Sequence, residues 1–299
     1  GCKKEYELPS VKAPSNAKIE ITKALDLTFG FIAEAGYKSA TLAATGGTAT
    51  IKTNASAGST SGDIVITFIA GSTTGAGSVT LNLVDNEDQS QTGTAVISIE
   101  AFPTISVTMN ISSDTTWETG KIYILEGRIT VLSGVTLTIQ PGVIVKGREG
   151  SEANATALMI ARGGKLLAEG TSTSPIIFTS VSDQIVPGEI TSPNLDPTIN
   201  GLWGGLLILG KAPISADTDA MQIEGIPASD QNGLYGGNEP TDNSGVLKFI
   251  SIRHGGANIG EGNEINGLTL GGVGSGTTIE NIEIVANQDD GIEWFGGTV

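Results

Sequence analysis

Residues 135–147 read VTLTIQPGVIVKG, which is two short apolar runs separated by a proline and a glycine. Apolar and polar residues alternate from Val135 to Ile139, and this period of two is typical of a β-strand with one buried face. Pro141 and Gly142 end that run, because both residues favour turns. The stretch therefore predicts two short strands joined by a tight turn.

Similar runs, each closed by Gly or Asn, follow through the rest of the sequence. They are Leu158–Ile160, Leu166–Ala168, Ile176–Phe178, Leu206–Ile208, Leu247–Phe249, Leu268–Leu270, Ile279–Ile284 and Ile292–Trp294. Leu137–Ile139 and Leu158–Ile160 lie 21 residues apart, and the units 142–147 and 164–170 end 23 residues apart. A period just above 20 with three strand-sized runs per turn predicts a β-solenoid, whose coils pair with the coils above and below. An antiparallel barrel is disfavoured because hairpin dipeptides are scarce.

Two longer stretches, 180–200 and 215–244, interrupt this rhythm and contain several prolines. Both are too long for the turns of a coil, so we predict that they protrude from it. Long loops on a rigid scaffold commonly carry binding residues, although a purely ornamental role is the alternative.

Residues 17–102 have a different pattern, with no proline between Pro14 and Pro103. Seven strands are predicted there, at Lys18–Thr22, Leu27–Ala33, Lys38–Ala43, Thr48–Thr53, Asp63–Ile69, Ser78–Val84 and Thr94–Glu100. Seven short strands in this length predict an immunoglobulin-like (Ig-like) β-sandwich, although the Cys…Trp…Cys pattern is missing. We interpret it as a spacer, with a sugar-binding module as the alternative.

The only cysteine is Cys2, so an internal disulfide and a cysteine-rich metal site are excluded. A polar tail follows it up to residue 16. This arrangement resembles the start of a mature bacterial lipoprotein, in which the cysteine carries lipid. The resemblance implies a tether over 1–16 and anchoring to the membrane without spanning it. A free, unmodified thiol is the alternative.

The formal net charge is −16, from 32 acidic and 16 basic residues. This balance argues against a nucleic-acid partner, which needs clustered Lys and Arg. No apolar run is long enough for a transmembrane helix. Residues 215–299 carry only Lys248 and Arg253 against thirteen acids, a net charge of −11. Such a field concentrates cations, and simple solubility is the alternative interpretation.

Four blocks resemble one known group of proteins: 142–147, 201–214, 251–256 and 289–297. The group is the right-handed parallel β-helix proteins of the pectin-lyase-like fold, in a branch of Bacteroidetes-type surface lipoproteins with N-terminal Ig-like modules. The resemblance covers about residues 120–299. It implies an all-β chain with a tether (1–16), an Ig-like sandwich (17–102) and a right-handed parallel β-helix (103–299). It implies no single function, because the fold carries lyases, hydrolases, adhesins and phage proteins.

Enzymes of this fold use carboxylates together with an Arg, Lys or His. The segment Asn287–Glu293 resembles part of the polygalacturonases, but His254 precedes these acids instead of following them. No Lys, Arg or His occurs after His254, so we assign no catalytic residue. The leading hypothesis is a secreted, outer-membrane lipoprotein at the cell surface whose β-helix binds a glycan, a partner protein or another cell (adhesion). A polysaccharide lyase or glycoside hydrolase is the first alternative, and a structural subunit of a larger surface assembly is the second.

Candidate ligand-binding residues are Trp203, Tyr235 and His254. Trp203 stands among glycines and is predicted to offer a platform for a sugar ring. Trp294 lies two residues after Ile292, on the same face of the strand, and is predicted to be core. His254 is alternatively a turn residue beside a strand end.

Candidate metal ligands are Asp289, Asp290 and Glu293, whose oxygens suit Ca²⁺. The alternative for Asp289 and Asp290 is a turn in which their side chains bond backbone N–H groups. The sequence stops at Val299, where the rhythm calls for another strand, so we expect further coils or a docking surface there.

Overall fold

The computed structural model describes residues 5–260 and 263–298. The chain divides between Phe102 and Pro103 into two compact units, which are treated separately below. Cys2 lies outside the described residues, so its lipidation stays a prediction.

The N-terminal unit consists of two four-stranded sheets. Its strands are β1 (Ser10–Lys12), β2 (Ala17–Glu20), β3 (Ala24–Ile32), β4 (Tyr37–Thr45), β5 (Gly47–Thr53), β6 (Ser61–Ala70), β7 (Gly75–Asp85) and β8 (Ser90–Glu100). One sheet has the order β1-β3-β6-β5 and the other β2-β8-β7-β4. Alternate residues such as Phe29, Ile66, Phe68, Leu81 and Ile97 are buried and form one hydrophobic core. The residues that the period of two places on one face of a strand are thus the ones that the core buries.

All seven strands predicted in this unit are present as β2 to β8. The eighth, β1, falls inside the predicted tether and pairs antiparallel with β3, joining Val11 to Phe31. Part of the expected tether is therefore folded. The specifically Ig-like character of the unit stays a prediction.

The C-terminal unit is a parallel β-helix of short strands. They are β9 (Thr104–Val107), β10 (Thr115–Trp117), β11 (Ile122–Leu125), β12 (Arg128–Val131), β13 (Thr136–Ile139), β14 (Ile144–Gly147), β15 (Ala157–Ile160), β16 (Lys165–Glu169), β17 (Ile176–Ser180), β18 (Leu206–Leu209), β19 (Met221–Gln222), β20 (Leu234–Tyr235), β21 (Gly245–Arg253), β22 (Asn258–Gly260), β23 (Asn263–Glu264), β24 (Leu268–Val273), β25 (Thr278–Val285) and β26 (Ile292–Gly297). Two short 3-10 helices cover Glu152–Asn154 and Gln231–Gly233.

Parallel pairing arranges most of these strands on three faces, whereas β19 with β20 and β22 with β23 form separate antiparallel pairs. Face A holds β10, β13, β16 and the first halves of β21 and β25. Face B holds β9, β11, β14, β17 and the second halves of β21 and β25. Face C holds β12, β15, β18, β24 and β26. The strands β21 and β25 turn the corner between faces A and B at Phe249 and Asn281, which both have positive φ.

Ladders of inward side chains fill the β-helix. Each ladder takes one residue from every coil: Ile139, Ala168, Leu247 and Ile279 on face A; Tyr123, Val145, Phe178, Ile252 and Ile284 on face B; Val131, Ile160, Ile208 and Leu270 on face C. These side chains belong to one hydrophobic core. No single coil buries an apolar face by itself, so the coils stabilise one another.

The predicted 21-residue repeat is wrong, because it compares strands on different faces. Leu137 lies on face A and pairs with Leu166, whereas Leu158 lies on face C and pairs with Ile129. The same error underlies the 23-residue spacing. True neighbours are Ile122 and Ile144 on face B, 22 residues apart. The next coil is longer because a loop separates β14 from β15, and the coils after it are longer because they contain excursions.

Two long excursions leave the coils, one over residues 181–205 and one over residues 210–244. They pack back onto the β-helix. The second buries outward side chains of face C, including Met159, Leu207 and Leu209, under Ile223, Ile226 and Tyr235. No helix in the described residues has both the length and the apolarity to cross a membrane.

Candidate functional site

Trp203 is fully buried. Its indole N–H donates to the backbone carbonyl of Arg253 at 2.8 Å. The ring also lies against Gly147, where a Cβ would approach Trp203 Cε3 to 2.7 Å. Trp203 therefore has no face on which a sugar could stack, contrary to the sequence interpretation.

Tyr235 is also buried and packs edge-on against Phe295, with ring centroids 5.9 Å apart. Burial raises its pKa, and the nearby carboxylates of Glu224 and Glu293 raise it further. The ring is thus part of the apolar cluster beneath the second excursion rather than an open sugar platform.

Trp294 was predicted to be core and is instead 58 % exposed. Trp294 does lie on the predicted, inward face of its strand, because it pairs with Leu270 in the inward ladder of face C. Within the described part of the chain, β26 pairs with β24 alone, so nothing covers the outer side of the Trp294 ring.

His254 follows strand β21 and has a left-handed backbone, with φ of 59°. Its Nδ1 lies 2.6 Å from the carbonyl oxygen of Ile199, which belongs to the first excursion. The side chain is almost fully buried, yet it lines a cavity of about 250 Å³. We call this the His254 cavity; its other lining residues include Arg253, Glu283, Ile190, Leu195 and Pro197.

The charges around the His254 cavity are linked to one another. Arg253 Nε donates to Ser251 Oγ at 2.7 Å, and this hydroxyl donates to Glu283 Oε2 at 2.5 Å. The guanidinium itself lies 3.5 Å from the same carboxylate. The network holds Arg253 in place and leaves Glu283 partly open to solvent, with its side chain 60 % exposed.

Another buried cation, Lys146, lies under the first excursion and donates from Nζ to the carbonyl of Asp183 at 2.6 Å. Burial lowers its pKa, although Asp183 and Glu189 act in the opposite direction. The carboxylate of Asp183 accepts bonds from Thr179 and Ser192. These contacts fix the excursion on face B.

The predicted calcium ligands do not converge on one point. Asp289 and Asp290 are exposed, and their carbonyls accept from Asn287 Nδ2 at 3.1 and 2.9 Å. The carboxylate of Glu293 instead accepts from Asn266 Nδ2 at 2.5 Å. No group of three or more His, Cys, Asp or Glu side chains suited to a metal ion occurs in residues 5–260 and 263–298.

A larger cavity, of about 420 Å³, lies at the turns that follow the strands of face C. We call it the Arg162 cavity. Ser133, Arg162 and Lys211 line one side, each shortly after a face C strand, and residues of the second excursion line the other. The excursion residues include Gln231, Asn232, Asn238 and Glu239.

Backbone contacts hold the two sides of the Arg162 cavity together. Arg162 Nη1 donates to the carbonyl of Gly236 at 2.8 Å, and the N–H of Gly236 donates to the carbonyl of Gly210 at 2.9 Å. The N–H of Glu239 donates to the Lys211 carbonyl at 2.9 Å. The shape of the Arg162 cavity is therefore formed before any ligand arrives, as is usual for small-molecule sites.

The Arg162 cavity is unusual in its charge. Residues 103–299 carry nine basic and twenty-two acidic residues, yet two of the basic ones line this single cavity. No carboxylate in the described chain lies within 4.0 Å of the Arg162 guanidinium, and Lys211 Nζ is 3.8 Å from Glu239. The positive charge of the Arg162 cavity is therefore only partly neutralised. The sequence analysis missed this site because its residues come from three separate coils and an excursion.

The model for the family described as "Pectate-lyase like beta helix domain" matches residues 109–299. The chain belongs to this family. The match confirms the predicted resemblance to a pectin-lyase-like β-helix, while the lipoprotein character stays a prediction.

No curated protein matches the sequence. Several solved structures are distantly similar, and two of them are described here. An R347E mutant of the SrpA adhesin from Streptococcus sanguinis is 14 % identical with a TM-score of 0.28, covering 37 % of this chain and 70 % of that one. A family 28 exopolygalacturonase from Yersinia enterocolitica is 10 % identical with a TM-score of 0.17. That alignment covers 97 % of this chain, which spans 64 % of the exopolygalacturonase.

Proposed function

We propose that this protein is a cell-surface lipoprotein whose β-helix binds an acidic saccharide in the Arg162 cavity without turning it over. The observation that carries the proposal is the placement of Arg162 and Lys211 beside side-chain amides in one preformed polar cavity.

The lining residues match the chemistry of an acidic sugar. A guanidinium binds a carboxylate or sulfate through parallel hydrogen bonds, and an ammonium adds a point charge. Amides such as Asn232 and Asn238 both donate and accept, which suits sugar hydroxyls. The volume of about 420 Å³ lies within the usual range for small-molecule sites.

Binding without turnover is the better interpretation because glycoside hydrolysis ordinarily needs two carboxyl groups on either side of the scissile bond. Glu239 is the one acid among the residues that line the cavity, and it faces Lys211. The acids suggested by the sequence, Asp289 and Asp290, are not among those lining residues.

The proposed location is the outer membrane, with a lipid on Cys2 anchoring the chain. Its support is the lone cysteine and the polar tail that follows it. The N-terminal unit then serves as a spacer between the membrane and the β-helix, and the bound partner is a surface or environmental glycan.

Calorimetric titration with oligouronates and with neutral oligosaccharides of equal length tests this proposal. Acidic ligands are expected to bind, and Lys211→Met is expected to weaken their binding by about 10- to 100-fold, because a hydrogen bond to a charged group contributes about 1.5–3 kcal/mol. Lys248→Met is the matched control, since Lys248 is similarly exposed and also faces a glutamate. Equal affinity for neutral ligands, or equal loss in both variants, contradicts the proposal.

Lyase or hydrolase activity at the His254 cavity is a second candidate, favoured by the presence of Arg253, His254 and Glu283 around one cavity. With Nδ1 directed at the Ile199 carbonyl, Nε2 is the ring nitrogen left for proton transfer. Release of unsaturated or reducing sugar ends from polyuronates, lost in His254→Ala and kept in Lys211→Met, is the expected result for this candidate.

A further inference from the structure

The two walls of the Arg162 cavity carry opposite charge. The coil wall, which includes Ser133, Arg162 and Lys211, is cationic. The other wall belongs to the second excursion, whose stretch 215–244 contains six acidic residues and no Lys or Arg. Glu239 is the acid of that stretch among the residues that line the cavity. The cavity is therefore dipolar rather than uniformly positive.

The coil wall presents hydrogen-bond donors. A Cβ placed on Gly163 would lie 2.6 Å from Ser133 Oγ and 3.6 Å from Lys211 Nζ, so both atoms approach one point. In the described part of the chain, neither atom forms a hydrogen bond with another protein group. Arg162 uses Nη1 for the Gly236 carbonyl, which leaves Nε and Nη2 for a ligand. An ionised acid group, which only accepts hydrogen bonds, therefore fits this wall.

The excursion wall presents hydrogen-bond acceptors. Gln231 Nε2 donates to the Ala228 carbonyl at 3.1 Å. Asn232 Nδ2 donates to Asp230 Oδ1 at 3.0 Å. These bonds direct the amide nitrogens toward the excursion itself, so the amide oxygens are the acceptors left for a ligand. The carboxylate of Glu239, whose side chain is 60 % exposed, adds a charged acceptor. A protonated amine, which only donates, fits this wall.

Glu239 disfavours a ligand that carries negative charge alone. Its carboxylate lies 3.8 Å from Lys211 Nζ, so an acid group bound by this lysine comes close to a like charge. Like charges a few ångströms apart repel each other. An ammonium group on the same ligand offsets this repulsion by pairing with Glu239. A ligand that carries both charges therefore satisfies both walls at once.

We propose that the saccharide bound in the Arg162 cavity is zwitterionic, with an acidic sugar next to an amino sugar whose nitrogen is unacetylated and protonated. This inference rests on the proposed function, because the same cavity binds the acid group. The acid group contacts Ser133, Arg162 and Lys211. The ammonium group contacts Glu239 and the amide oxygen of Asn232. Complementary charge on both walls fixes the orientation of the ligand and discriminates against polyanions.

The test is calorimetric titration of the whole chain with tetrasaccharides of alternating glucuronate and glucosamine, in which the nitrogen is free, acetylated or sulfated. At about pH 6 the carboxylates are ionised and the free amines are protonated. We expect the free-amine form to bind about tenfold more tightly than the acetylated form, because a charge-assisted hydrogen bond is stronger than a neutral one. The sulfated form should bind most weakly, since its added negative charge faces Glu239.

Glu239→Gln should remove the tenfold preference for the free amine and strengthen binding of the sulfated form. Glu280→Gln is the matched control and should keep the preference, because Glu280 is 58 % exposed and lies 3.5 Å from Lys248 Nζ. Equal binding of the three forms, tightest binding of the sulfated form, or a preference that persists in Glu239→Gln overturns the zwitterion inference and leaves the proposed acidic-saccharide site standing. Binding of none of the three forms, together with no binding of oligouronates, overturns both.

Discussion

Replacement of Trp203 by Phe separates a core role from a sugar-binding role. Phe keeps most of the buried apolar ring but cannot donate to the Arg253 carbonyl, which lies 2.8 Å from the indole nitrogen. A buried carbonyl left without its donor costs about 1–3 kcal/mol. The smaller ring adds a cavity cost because its surroundings relax only partially. We therefore expect a loss of about 2–3 kcal/mol in the free energy of unfolding of the C-terminal unit.

That loss corresponds to a fall in Tm of about 4–12 °C for a unit of this size. Tryptophan fluorescence follows it selectively, because Trp117, Trp203 and Trp294 all lie in the C-terminal unit. Trp294→Phe is the control and should change stability by less than about 0.5 kcal/mol, since its ring is exposed. An unchanged Tm in Trp203→Phe, together with weaker saccharide binding, refutes the core assignment.

Three further predictions concern single positions. Gly245→Ala should destabilise the chain by about 2–4 kcal/mol in denaturant titration, because φ is +117° and a Cβ would collide with the Leu166 carbonyl. Gly127→Ala, which meets nothing within 4 Å, should be near neutral. Because its pKa is raised above 10.0, folded Tyr235 keeps its proton where the unfolded chain loses it, so stability should fall as pH rises from about 10. Tyr235→Phe should remove that component of the pH profile. Intact mass of the protein from its native envelope should exceed the polypeptide mass by a lipid adduct, and Cys2→Ser should abolish detergent partitioning; an unmodified Cys2 contradicts the anchor.

Local patterns predicted the strands better than their arrangement. Alternation in runs such as Val135–Ile139 depends on which side chains face the core, and this property is visible in a few residues. The order of strands around the β-helix depends on long-range pairing. Leu137 and Leu158 look like repeats because both lie in apolar triplets, yet they belong to different faces, and only the pairing register distinguishes them.

The candidate sites were harder to predict for the same reason. Trp203 stands among glycines, which suggested an open platform, but glycines such as Gly147 instead provide space for a buried indole. Arg162 and Lys211 are 49 positions apart in the sequence and carry no motif. They meet because β15 and β18 pair in register, so the turns that follow these strands stack.

The His254 cavity and the Arg162 cavity share one construction, in which a face of the β-helix supplies one wall and an excursion supplies another. The coils provide rigid, repeated turns, and stacking fixes the spacing between side chains from successive coils. The excursions add residues that the coil period does not constrain, such as Asn232 and Glu224. The cations that line the Arg162 cavity come from turns of the coils, whereas its amides and Glu239 come from the second excursion. One excursion can therefore add hydrogen-bonding side chains to charges whose spacing the coils fix.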